Sequence, residues 1–236
     1  MTDADAAKRP LTTISTPGAD PDVFTTGVPA VDTELNGGLP AGAAVALTYP
    51  PASPGERLAY AQAVTPEHPT VYATTGHDTA LIEGDLAAEH ARYHPEADQR
   101  VDVAALTTPE ADDGYTGLLE HPRACLPEFT GGSIVIDSIT DYPPTDLHRH
   151  LPTLTEFLRE TNSIAYLLLH PPAARPDRHR TTTDIADVVL EYEPATGGDT
   201  LHIPKFRHPP VNAPELPVTI ELTVGETVTV STGKSH

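Results

Sequence analysis

Lysine is nearly missing from this chain. Only Lys8, Lys205 and Lys234 occur in 236 residues, against 34 Asp and Glu, and the formal charge is −20. Nonspecific nucleic-acid binding depends on Lys and Arg neutralising phosphates, so a broad polyanion-binding face is excluded and nucleic acid is not an expected partner. The lone Cys125 excludes an intramolecular disulfide and any cysteine-based metal site. It reads as a small buried apolar side chain in a reducing cytoplasm rather than as a nucleophile. Apolar runs approaching the roughly 20 residues of a membrane span are absent, and the polar start "MTDADAAKRP" is unlike a signal peptide. No Ser/His/Asp constellation can be assembled from spacing. Abundant acid with scarce lysine suits a cytosol with molar salt, where the Debye length falls to about 3 Å and self-repulsion is screened. An ordinary acidic protein is the alternative.

What is present is a regular alternation. Residues 1–22 form a polar, acidic tail expected to be mobile, and 233–236 a second short tail. Between them, 23–232 reads as a single domain without internal repeats. "AAVALTY" (43–49), "TVYATT" (70–75), "RVDVAAL" (100–106), "SIVIDSI" (133–139) and "SIAYLLLH" (163–170) are strand-like runs. Helices are expected over about 54–64 and 78–94, the second ending before Pro95. Leu147, Leu151, Leu154 and Leu158 recur at helical spacing, with Pro152 either starting or kinking that helix. A Gly/Pro-rich stretch at 107–131 reads as irregular. "DVVLEYE", "TLHIPKF", "VTIELTV" and "TVTVST" then follow closely, the last two as a hairpin across Gly225-Glu226. The order implies an α/β fold with a mostly parallel central sheet, flanking helices and C-terminal antiparallel strands at one edge.

The loop between the first strand and first helix reads Tyr49, Pro50, Pro51, Ala52, Ser53, Pro54, Gly55, Glu56. A P-loop writes G-x-x-x-x-G-K-[ST] over such a strand–loop–helix junction. Upstream, "TGVPAVDTELNGGLPAG" resembles the segment that precedes the P-loop in the KaiC/RadA branch of RecA-like ATPases. Thr26, Gly27, Asp32, Leu35, Gly37, Gly38, Leu39 and Gly42 match that pattern, while Val31 replaces a usual leucine. "SIVIDSIT" is similar to the family's Walker B strand, with Asp137 in the metal-facing place. "LHIPKFR" resembles a late strand whose K-x-R pair, here Lys205 and Arg207, reaches the neighbour's nucleotide in ring-forming members. The resemblance spans about 24–230 and implies a RecA-like fold.

The chemistry does not carry over. The first loop glycine is Tyr49, whose ring would crowd the loop. The second is Pro54, which has no N–H. The lysine is Gly55 and the Mg²⁺-binding hydroxyl is Glu56. Prolines 50 and 51 carry no information, since active relatives also have them. Where the family places a catalytic glutamate, this chain offers Gly76 and His77. Charge-assisted hydrogen bonds contribute roughly 1.5–3 kcal/mol each, so losing the lysine and loop amides costs several kcal/mol of phosphate binding. Ser53-Pro54-Gly55-Glu56 also matches an S-x-x-E capping box, which would place Glu56's own carboxylate at the helix N-terminus.

These residues predict a pseudo-ATPase without catalytic residues and without a cofactor. It would serve as a binding or regulatory subunit for a protein partner: a second copy of itself or an active KaiC/RadA-like paralogue, on which Lys205 and Arg207 act in trans. An edge strand with salt bridges is the plainer reading of that pair. Two alternatives stand beside this prediction. One is a residual ATPase holding ATP and Mg²⁺ atypically through Asp137, which otherwise caps the loop after its strand. The other is a DNA-repair accessory protein. His90 and His94 lie one helical turn apart, as zinc ligands can, or on a solvated face. His148, His150 and His179 are expected at the surface. The "GKS" near the C-terminus would put the motif's first glycine at Val228 and is no P-loop.

Overall fold

The computed structural model describes residues 23–75, 78–105, 117–172, 175–207, 216–224 and 228–230. The terminal tails, Gly76, His77 and the GKS lie outside them. The elements in chain order are β1 (Val23–Phe24), α1 (Pro29–Glu34), β2 (Leu39–Pro40), β3 (Ala44–Thr48), α2 (Glu56–Ala63), β4 (Thr70–Thr74), α3 (Thr79–Tyr93), β5 (Val101–Ala105), α4 (Gly117–Glu120) and α5 (Pro122–Cys125). Then come β6 (Ser133–Asp137), a 3-10 turn (Ile139–Asp141), α6 (Pro144–Glu160), β7 (Ile164–Leu169), α7 (Pro176–Ile185), β8 (Val188–Glu193), β9 (Asp199–Phe206), β10 (Val218–Val224) and β11 (Val228–Val230).

Among the described residues nine strands form the main sheet, ordered β11-β10-β9-β8-β3-β7-β6-β4-β5. The six from β8 to β5 are parallel; β9, β10 and β11 add antiparallel. Strand β3 lies between β7 and β8 and is buried at every position. That burial explains its unbroken apolar run, because a central parallel strand is covered on both faces. Alternate residues serve two cores. Val45, Leu47, Tyr72 and Tyr166 pack with α1, α2 and α3, while Ala44, Ala46, Ala165 and Leu167 pack with α4 and α6.

Three expectations change. Helix α6 does not start at Pro152: it begins at Pro144 and continues past the proline to Glu160. Pro152 is exposed, and so is His148, whose carbonyl loses its N–H partner to the proline and can be hydrated. The stretch after β7 forms α7, whose sequence PDRHRTTTDI has almost no apolar residue to mark a period. Two short helices, α4 and α5, interrupt the region read as irregular, and Cys125 is only half-buried.

His68, between α2 and β4, is 4% exposed. It meets the Phe24 ring edge-on at 4.7 Å and lies 3.1 Å from Thr65 Oγ1. Burial, then the nearby Arg100 charge, brings its pKa down to about 4. The unfolded histidine takes up its proton near 6.5. Between those values the unfolded chain binds more protons, so stability present above pH 6.5 is lost as pH falls towards 4. The loss from this group is about 3 kcal/mol. Denaturant unfolding of wild type and His68→Gln at pH 7 and pH 4 checks it: the variant should show a pH dependence smaller by that amount.

Candidate functional site

The loop 49–55 leaves the carboxyl end of β3, where open α/β sheets bind ligands. Its first residue, Tyr49, is 4% exposed and extends the strand by donating its amide to Leu169 O at 3.2 Å. Its ring stands edge-on to His170 at 6.1 Å. Ala52 adopts φ 57°, a left-handed conformation that costs a non-glycine residue about 1 kcal/mol. Several amides of this stretch are engaged internally. Ser53 N donates to Pro50 O (3.2 Å), Arg57 N to Pro54 O (3.0 Å) and Leu58 N to Gly55 O (3.1 Å), while Gly55 N donates to Ser53 Oγ at 3.3 Å.

Gly55 marks the decisive contact. A Cβ at this position would lie 2.5 Å from Tyr49 Cβ and 2.6 Å from Tyr192 Cδ1. The two tyrosines close over the backbone where a P-loop projects its lysine, and no side chain fits between them.

The capping box does not form. Helix α2 begins at Glu56 without a side-chain cap. Gly55, its N-cap, has φ −59° and ψ −26°, helical values where a capping residue needs extended ones. Ser53 therefore serves Gly55, two residues on, and Glu56 turns along the helix. There Tyr60 Oη donates to Glu56 Oε1 at 2.9 Å.

A matching contact holds Asp137. This residue ends β6, is 3% exposed, and accepts from Tyr72 Oη at 3.0 Å. Burial foremost, then Asp137 and neighbouring acids or phenols, pushes the Tyr49 and Tyr72 hydroxyls far above the ordinary phenol value. Burial and then Glu56 do the same to Tyr60. These phenols stay protonated and can act as donors to the two acids. The turn after β6 is capped by Ser138 Oγ, which accepts from Thr140 N at 3.1 Å, not by Asp137. No cluster of three or more His, Cys, Asp or Glu suited to a metal ion occurs among the described residues.

Histidines enter this edge unexpectedly. His179 is half-buried, with Nε2 3.3 Å from Thr48 Oγ1, and burial lowers its pKa while Glu191 opposes the shift. His150 is 6% exposed and His90 8%, so neither occupies a solvated face; His148 does. His150 follows Leu147 by three residues and precedes Leu154 by four, a spacing that already assigns it to the apolar face of α6. Tyr60 and Tyr72 were not singled out from sequence. The one available signal was the i, i+4 spacing of Glu56 and Tyr60.

Lys205 and Arg207 lie away from the loop. Val188 pairs with Phe206 and Val45, whereas Thr48 pairs with Glu191. Lys205 pairs with Val189, level with Ala46 and about 10 Å of strand from the loop, and Arg207 lies beyond the amino end of β3, about 16 Å from it. Lys205 Nζ donates to the carbonyls of Thr183 (2.6 Å) and Asp184 (2.9 Å) in the last turn of α7. Burial, then Arg207, lowers its pKa, and Asp184 and Asp187 oppose this. Arg207 is exposed.

Residues 23–236 match the family DUF7125, described as a family of unknown function. The chain belongs to that family. No curated protein matches it. Among solved structures it is similar to a KaiC-like protein from the hyperthermophilic archaeon Pyrococcus horikoshii OT3, with 17% identity, a TM-score of 0.63, and coverage of 89% of this chain and 98% of that one. At that identity the likeness establishes the fold: this DUF7125 member has a KaiC-like, RecA-type α/β fold. No helix among the described residues is long and apolar enough to cross a membrane.

Proposed function

We propose that the protein is a pseudo-ATPase: a RecA-type domain that has filled its own phosphate site and works as a binding or regulatory subunit in a salt-rich cytoplasm. The observation that carries this reading is Gly55 clasped between Tyr49 and Tyr192. A triphosphate with Mg²⁺ does not fit the residues present. The lysine and metal-binding hydroxyl are absent, Pro54 offers no N–H where the pattern has its second glycine, and the Ser53 and Gly55 amides are used internally. Glu56 would add repulsion.

Isothermal calorimetry with ATP and Mg²⁺ in molar KCl tests the reading. No heat of binding is expected up to millimolar nucleotide; a micromolar dissociation constant would refute it. The partner in this reading is an active paralogue or a second copy, and co-purification in native salt should recover either a protein with an intact P-loop or further copies of this chain. Any action in trans falls to Arg207, because Lys205 already caps α7. A partner whose ATPase rate ignores Arg207→Gln would remove that role.

A further inference from the structure

Opposite the loop, at the amino end of β3, the turn Pro40–Ala43, the end of α6 and the residues flanking β8 and β9 enclose a cavity of about 320 Å³. We propose that this cavity binds a small oxyanion, a carboxylate or phosphate group on a compact ligand, held between Arg159 and Arg207.

Its charged lining opposes the character of the chain. Two guanidiniums and one carboxylate, Asp187, face it in a protein of charge −20. Asp187 is 4% exposed and both its oxygens are engaged. Oδ2 accepts from Ala44 N at 3.1 Å and Oδ1 from Arg159 Nη2 at 3.4 Å. It therefore steers Arg159 and leaves Arg207 uncompensated. The Arg207 backbone is fixed by donation to Asp187 O at 2.7 Å, and no ion pair holds its guanidinium among the described residues.

Arg159 is placed by packing as well. A side chain on Gly42 would meet Arg159 Cγ at 3.0 Å and Cα at 3.3 Å, so the arginine stem lies directly across the turn. Pro40, Ala41 and Ala43 supply small walls. With Lys205 committed to α7, the cavity's cations are planar forks, the geometry that grips two oxygens at once. The volume is at the small end for ligand pockets, which span roughly 300–1,000 Å³, and suits a compact ligand.

The test titrates the full-length protein with inorganic phosphate and, separately, with malonate at constant ionic strength, following amide chemical shifts of Gly42 and Arg207. A saturable response is expected to at least one probe. Response to phosphate alone assigns a phosphorylated ligand, and response to malonate alone assigns a carboxylate. Arg207→Gln should weaken binding about tenfold or more while leaving the anion-free melting temperature unchanged. Arg159→Gln should weaken binding similarly, with some loss of stability from unpairing Asp187. Absence of saturation by either anion, or affinity unchanged in Arg207→Gln, overturns the proposal. The site is remote from the loop, so anion-induced shifts at Gly42 and Arg207 that leave the Ser53 and Gly55 amides unmoved belong to this cavity and not to the loop.

Discussion

Gly55→Lys, which restores the P-loop cation, is expected to unfold much of the protein rather than to recruit ATP. The new Cβ alone would sit 2.5 Å from Tyr49 Cβ and 2.6 Å from the Tyr192 ring. Tyr49 Cβ is bound directly to its backbone, so it cannot swing away as a side-chain tip can. Overpacking of this kind costs about 1–3 kcal/mol and occasionally more. The ammonium adds desolvation among buried rings. A total of about 4 kcal/mol or more is a large part of the 5–15 kcal/mol typical of a folded domain. Gly55→Ala isolates the steric part, at about 2–3 kcal/mol. Combining it with Tyr192→Ala should cost less than the two single losses summed, since the substitutions share one contact. Denaturant midpoints measure all of these. A Gly55→Lys protein as stable as wild type would mean the rings are not closed over the loop.

Gly27→Ala should have a comparable effect. Gly27 has φ 77°, and a Cβ there would fall 2.3 Å from both Ala61 C and Ala61 O. The obstacle is the backbone of α2, which can yield only if the helix moves. Left-handed strain of about 1–2 kcal/mol and overpacking together predict a loss of about 3 kcal/mol or more. The same substitution at Gly37, which has nothing within 4 Å of a built Cβ, should incur the strain alone. Equal melting temperatures for the two variants would refute the packing argument.

Gly27 also shows what the leading signature does. Asp32 Oδ1 accepts from Thr26 N and Thr26 Oγ1, both at 2.7 Å, and Thr25 Oγ1 donates to Asp32 Oδ2. Leu35 and Leu39 are fully buried. These conserved-looking letters fasten the entry segment to α2 and the first core. Their contacts are structural and independent of the residues at 49–56, so the fold is legible even though that loop does not match the P-loop pattern. The parallel strands were legible for a related reason: burial on both faces leaves an unbroken apolar run, as in β3 and β7.

The rest was set by contacts that no local pattern encodes. Helix α7 packs against α6 with a polar sequence, and Arg178 Nη1 donates to Thr140 O in the 3-10 turn at 2.6 Å. The expected capping box fails because the chain already turns from Pro50 to Ser53, so Gly55 arrives in helical geometry. The candidate site was legible as departures from the P-loop pattern at positions 49–56. What replaced them was not, because Tyr72 and Tyr192 reach the site from strands far along the chain.

Under the proposed function, the clasp of Tyr49 and Tyr192 over Gly55 has a metabolic consequence. A domain that binds nucleotide is stabilised by mass action, by about 2.7 kcal/mol when free ligand is a hundred times its dissociation constant. Its persistence then follows the cell's energy charge. Under the proposed pseudo-ATPase reading, this chain has phenol and carboxylate groups of its own in that place and draws the corresponding cohesion from its own side chains, so its abundance should hold steady through starvation.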